Sequence, residues 1–150
     1  MELCTGAHGY DSDKLHRDSF VSLFTLNPEQ ERVFQMVAQH NEDSQGQQLR
    51  LYVAGPAGSG KSRVLQALRA YFKSRKEEYK LAVIAPTGAA ASLVGGATYH
   101  SFLGFSGYAL EVSEEKLAKL RSNMLGVRYI FLDEVSMLSC KDLFNISSRL

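Results

Sequence analysis

Leu49-Arg50-Leu51-Tyr52-Val53-Ala54-Gly55-Pro56-Ala57-Gly58-Ser59-Gly60-Lys61-Ser62 is the stretch on which the reading of this chain turns. Its last eight residues fit the phosphate-binding pattern G-x-x-x-x-G-K-[ST] at every fixed position. The six residues before Gly55 are short, mostly apolar and end at a glycine, which predicts a buried strand. After Ser62, apolar residues recur at 64/65, 68 and 71/72, the spacing of a one-sided helix over 63–72. Strand, glycine-rich loop and helix in that order predict a nest of inward-facing amides at the positive end of a helix. In such a nest Gly55, Pro56, Ala57, Gly58, Ser59 and Gly60 cradle phosphate. Lys61 supplies a compact cation for the β- and γ-phosphates, and the Ser62 hydroxyl is placed for Mg²⁺.

Outward from the loop, the rest of the chain fits one α/β domain. Its 150 residues are 45% hydrophobic and 22% charged, enough for a core of its own. Seventeen basic against sixteen acidic residues leave a net charge of +1, so any nucleic-acid contact must come from local placement. Cys4 and Cys140 lie far apart and form no disulfide framework. Cys4, His8 and His16 lack the fourth partner and the spacing of a zinc site. No apolar run reaches membrane-spanning length, so no membrane partner is expected.

Residues 1–25 are mixed and polar and read as a flexible lead-in; residues 26–150 carry the domain. Asn27, Pro28 and Gln30 form an N-cap, a first-turn proline and a capping-box partner for a helix whose buried stripe is Val33, Phe34 and Val37. Residues 41–48 read as a loop. Lys80–Ala85 is a second strand, followed by a short helix over 89–94 that Gly95-Gly96 ends. Ser113 caps a further helix with Leu117, Leu120 and Met124 inward. Val127–Leu132 is the strand richest in β-branched and aromatic residues, and it runs straight into Asp133-Glu134. Residues 137–146 suggest a last helix.

A phosphate loop followed by an apolar strand ending in two acids supplies what nucleotide hydrolysis needs. Asp133 at the strand tip would hold Mg²⁺ near Ser62, and Glu134 would act as general base on the attacking water, with Lys61 as its catalytic counterpart.

Five stretches in order then resemble one family. Leu26–Gln30 resembles the glutamine motif of superfamily 1 helicases, Gly55–Ser62 their motif I, and Ala85–Ala91 motif Ia. Thr98-Tyr99-His100-Ser101-Phe102-Leu103 resembles the Thr-x-His-Ser-Phe stretch that follows, and Leu132-Asp133-Glu134-Val135-Ser136-Met137 resembles motif II. The last phrase is similar to that of the petite-integration-frequency (Pif-type) helicases and their relatives in Helitron transposons. The resemblance implies a RecA-like P-loop NTPase core, with a mostly parallel sheet and flanking helices, incomplete as the N-terminal part of a first motor domain. It implies ATP and Mg²⁺ as cofactors, with Gln30 against adenine, a role compatible with capping. It implies a single-stranded DNA track lined by Pro86, Thr87, Gly88, Thr98, His100 and Ser101. It further implies 5′-to-3′ unwinding in repair, recombination and telomere maintenance, in the nucleus or mitochondrion. Ala89 departs from the larger or basic residue that relatives often carry. No Gly-Asp-x-x-Gln-Leu motif follows Asp133-Glu134, which predicts a fragment that does not unwind DNA alone. A nucleotide- or DNA-binding remnant without catalysis is the rival reading, and a small P-loop kinase is a third. The 86–88 and 98–102 stretches count against the kinase.

Overall fold

A computed structural model describes residues 7–43, 46–56, 58–105 and 114–150. The chain divides into two compact units, Met1–Glu78 and Tyr79–Leu150.

The described part of the first unit is helical. Helix α1 spans Ala7–Leu23, α2 Pro28–Glu42 and α3 Lys61–Ser74, and each packs on the other two. Residues 7–23, read from sequence as a lead-in, therefore form a full helix. The reason lies in two kinds of contact. Phe20 meets Phe34 and Tyr71 with ring centroids 6.4 and 5.9 Å apart, and Phe34 and Tyr71 are fully buried. Arg17, only 3% exposed, ion-pairs with Glu42 of α2 and donates from Nε to Gln35 Oε1 at 2.8 Å. The expected start of α2 is present in full: Gln30 N–H donates to Asn27 Oδ1 at 2.9 Å, and Asn27 N–H to Gln30 Oε1 at 3.0 Å.

One expected element is corrected. Leu49–Ala54 is not a strand, and Leu51 and Tyr52 stand 39% and 76% exposed. A strand exists only where a neighbouring backbone takes its N–H and C=O groups, and no described strand pairs with this run.

The second unit holds the sheet. Strand β1 (Leu81–Ala85) lies between β2 (Ala97–Thr98) and β3 (Tyr129–Leu132), and both pairings are parallel. Parallel pairing needs crossovers, supplied by α4 (Gly88–Leu93), α5 (Tyr99–Leu103) and α6 (Glu114–Met124); α7 (Cys140–Ser147) follows β3. β1 buries Val83, Ile84 and Ala85, as a central strand must. The core gathers Ile84, Tyr99, Leu103 and Ile146, with Ile130 and Leu132 packed against it. The last helix starts at Cys140 rather than near Met137, because Ser139 and Asp142 make a reciprocal cap there; Val135–Met137 is a single 3₁₀ turn. The Ser113 cap lies outside the described residues.

Among the described residues no helix is long and apolar enough to cross a membrane.

Candidate functional site

In the first unit the phosphate-loop residues form a compact turn at the head of α3. Ser59 N–H donates to the Pro56 carbonyl at 3.2 Å. Gly58 has φ +79°, and Gly60, the N-cap of α3, has φ +79° and ψ 24°. Gly60 favours glycine for its backbone, and a side chain there would also push aside the flexible tip of Gln30. The backbone at Gly60 is left-handed, and a Cβ there would lie 2.3 Å from Gln30 Nε2. No side chain caps α3, so its first-turn amides have no side-chain acceptor. Lys61 is the first residue of the helix and folds back over the loop. Its Nζ donates to the carbonyls of Gly55 and Pro56 at 2.7 and 3.0 Å and lies 3.4 Å from Ser59 Oγ. Ser62, next on the helix, is exposed. Ala57 lies outside the described residues.

Gln30 reaches this loop from the first turn of α2. Its Nε2 donates to the Ser59 carbonyl at 3.1 Å and lies 3.5 Å from the Gly60 carbonyl, while its Oε1 serves the cap. The capping role and a loop-facing role thus coexist in one side chain.

The fit to a phosphate ligand rests on these features: uncapped first-turn amides, a glycine cradle that a Cβ would fill, and an ammonium within the loop. Lys61 has three N–H donors, so a phosphate oxygen can replace a carbonyl without leaving the charge unpaired. For Mg²⁺, a hydroxyl and a carboxylate are suitable hard oxygen donors beside phosphate oxygens. No group of three or more His, Cys, Asp or Glu side chains suited to a metal occurs among the described residues.

In the second unit, parallel pairing brings separate motifs to one end of the sheet. Ala85 is level with Thr98, and Ile84 with both Ala97 and Leu132. Hence Pro86-Thr87-Gly88, Thr98–Ser101 and Asp133-Glu134 all follow the carboxyl ends of their strands, where open α/β sheets bind ligands. Thr87 Oγ1 accepts from Ala90 N–H at 3.2 Å and caps α4, whose first residue is Gly88. Thr98 Oγ1 accepts from Ser101 N–H at 3.2 Å and caps α5. A hydroxyl that accepts keeps its own O–H to donate. Thr87, His100 and Ser101 are exposed and Pro86 is half-buried. Asp133 N–H donates to the Ile84 carbonyl at 2.9 Å, continuing the ladder one residue past β3. Glu134 is exposed and adopts φ 50°, ψ 42°, a left-handed conformation unusual for a residue with a Cβ. Such outliers cluster at functional sites.

Two further contacts had no signal in the sequence. Arg63 donates to the Phe24 carbonyl and to Thr25 Oγ1, partners 39 and 38 residues away. Tyr99 hydroxyl donates to Asp142 Oδ1 at 3.0 Å across 43 residues, tying α5 to α7. Burial, then the Asp142 carboxylate, pushes the Tyr99 phenol up.

A glycine-rich loop ending in Lys-Ser at a helix head and a parallel sheet with its polar residues at the strands' carboxyl ends define a P-loop protein with a partial RecA-like core. A family model described as PIF1-like helicase matches residues 25–149, and the chain belongs to that family. Among its relatives is an ATP-dependent DNA helicase PIF1 of Trypanosoma brucei brucei, 32% identical over 124 residues that cover 83% of this chain and 11% of the relative. ATP-dependent DNA helicase RRM3 of Saccharomyces cerevisiae is 28% identical over 130 residues, 83% of this chain and 17% of its own length. ATP-dependent DNA helicase PIF1 of Candida albicans is 37% identical over 95 residues, 58% of this chain and 10% of its own. The chain spans between a tenth and a fifth of the length of these three relatives. No solved structure matches it.

Proposed function

We propose that this chain carries the nucleotide loop and part of the single-stranded DNA track of an ATP-dependent DNA helicase motor. In this reading Gly55–Ser62 and Gln30 hold ATP, Ser62 and Asp133 hold Mg²⁺, and Lys61 and Glu134 are the catalytic pair. The bound metal would neutralise triphosphate charge. Lys61 would move its ammonium from the loop carbonyls to phosphate oxygens. Glu134 would orient a water and take its proton. Pro86, Thr87, Gly88, Thr98, His100 and Ser101 would meet the DNA backbone through hydroxyls and amides, which suits sequence-independent movement. The full motor would travel 5′ to 3′ and serve repair, recombination and telomere maintenance on nuclear or mitochondrial DNA.

The observation that carries the reading is the common end of the sheet reached by 86–88, 98–101 and 133–134. Fluorescence anisotropy with a labelled oligothymidylate tests the DNA half. Thr87→Ala and Thr98→Ala are expected to weaken binding about tenfold or more each, on the scale of one hydrogen bond to a charged group. Thr87→Ser, which keeps cap and hydroxyl, is expected to bind like the unaltered chain. Equal affinity for all of these proteins would remove the proposed track.

A further inference from the structure

The turn between α1 and α2 is closed by its own backbone, with Leu26 N–H donating to the Val21 carbonyl at 3.0 Å and Thr25 N–H to the Ser22 carbonyl at 3.1 Å, and it is tied to α3 by one side chain. Thr25 has φ +46°, a left-handed backbone that a β-branched residue rarely adopts. Two donors of that side chain hold the turn against the head of α3: Arg63 Nε donates to the Phe24 carbonyl at 2.5 Å, and Arg63 Nη2 to Thr25 Oγ1 at 2.8 Å. Arg63 follows Lys61-Ser62 directly on α3, and its own N–H donates to the Gly60 carbonyl at 2.9 Å. Leu26, buried, and the cap residue Asn27 come next, and Gln30 stands three residues after Asn27. The guanidinium therefore links the head of α3 to the turn from which Gln30 reaches the Ser59 carbonyl.

We propose that Arg63 is a positioning residue for the nucleotide base, acting through Gln30; this rests on the reading that Gln30 faces adenine. Without the clasp the turn keeps its own backbone bonds but is no longer tied to the head of α3, so the entry to α2 shifts and the Gln30 amide is held less firmly beside Ser59 and Gly60. The phosphate cradle is made by other atoms, so the loss falls on base discrimination more than on triphosphate affinity. A planar fork with fixed donors suits this task, and the single ammonium of lysine replaces only one of its two bonds.

The test is a titration of the 150-residue chain with Mg-ATP and Mg-GTP, with a thermal melt of each variant. Arg63→Gln is expected to lower the ATP-over-GTP preference about five- to tenfold, the size of one well-placed hydrogen-bond pair. In a Gln30→Ala background the same change is expected to shift it less than about twofold, since coupled residues do not add. Arg63→Lys, which keeps the charge and the fold, is expected to fall between. Equal losses in both backgrounds, or an undiminished preference in both Arg63 variants, would overturn the positioning role while leaving the nucleotide site intact. An unaltered chain that binds both nucleotides without preference, or neither, would instead remove the Gln30 reading and this inference with it.

Discussion

Arg17 is a buried charge in the first unit. Its guanidinium pairs with Glu42, whose other oxygen accepts from the Tyr71 hydroxyl at 2.8 Å. Burial, then the Glu42 carboxylate, pushes the Tyr71 phenol up, so it stays a donor. Removing one partner of a buried pair strands the other. Arg17→Ala is therefore expected to cost about 3 kcal/mol in chemical denaturation, with partial recovery when Glu42→Gln is added. Nothing local foretold this: Gln35 and Glu42 lie 18 and 25 residues on, and a lone arginine in a polar stretch looks solvated. A second residue sets a pH dependence. The Ser139 hydroxyl and backbone N–H, then the Tyr99 hydroxyl, hold the Asp142 carboxyl below its usual value, with the charge of His100 adding to them. A depressed carboxylate stabilises the fold above its unfolded pKa of about 4, and that contribution is lost as pH falls through the folded value. Asp142→Asn should lower the melting temperature at neutral pH, and its difference from the unaltered chain should close on acidification to about pH 2. A constant gap across that range would show that the charge has no part in it.

At the scale of elements, the close approach of Gly96 to β1 decides how the second unit packs. A Cβ at Gly96 would lie 2.4 Å from the Val83 carbonyl oxygen and 2.9 Å from its carbon, both backbone atoms of the central strand. Neither can yield as a side-chain tip can. Gly96→Ala is expected to destabilise the unit by about 2 kcal/mol or more, read from a denaturant midpoint; a neutral result would mean the strand gives way freely. Helices α2 and α3 and strands β1 and β3 were legible because cap residues and apolar periodicity lie in consecutive positions. The two-residue strand β2 was not read as a strand, being too short for any period to show. Leu49–Ala54 failed in the opposite way: its apolar run was genuine, but pairing is a property of two backbones, and sequence shows one. Helix α1 was missed because aromatic and ionic partners on α2 and α3 hold it, rather than a strong apolar stripe of its own.

For the molecule as a whole, the α/β class with a parallel sheet was legible in the sequence, and the candidate site was read from local patterns alone. A phosphate loop, an acidic pair and two short polar stretches are local patterns, and each could be read without knowing what packs on what. What the patterns could not give is whether they serve one ligand. The proposal requires that Ser62, in the first unit, and Asp133, in the second, share one metal bound to one nucleotide. Paramagnetic relaxation tests this directly. Mn²⁺-ATP added to isotope-labelled chain, with Mg²⁺-ATP as reference, should broaden the amide signals of Gly58–Ser62 and of Asp133–Val135 together, and Lys61→Ala should abolish both effects. Broadening confined to one of the two segments, or indifferent to Lys61→Ala, would contradict the account.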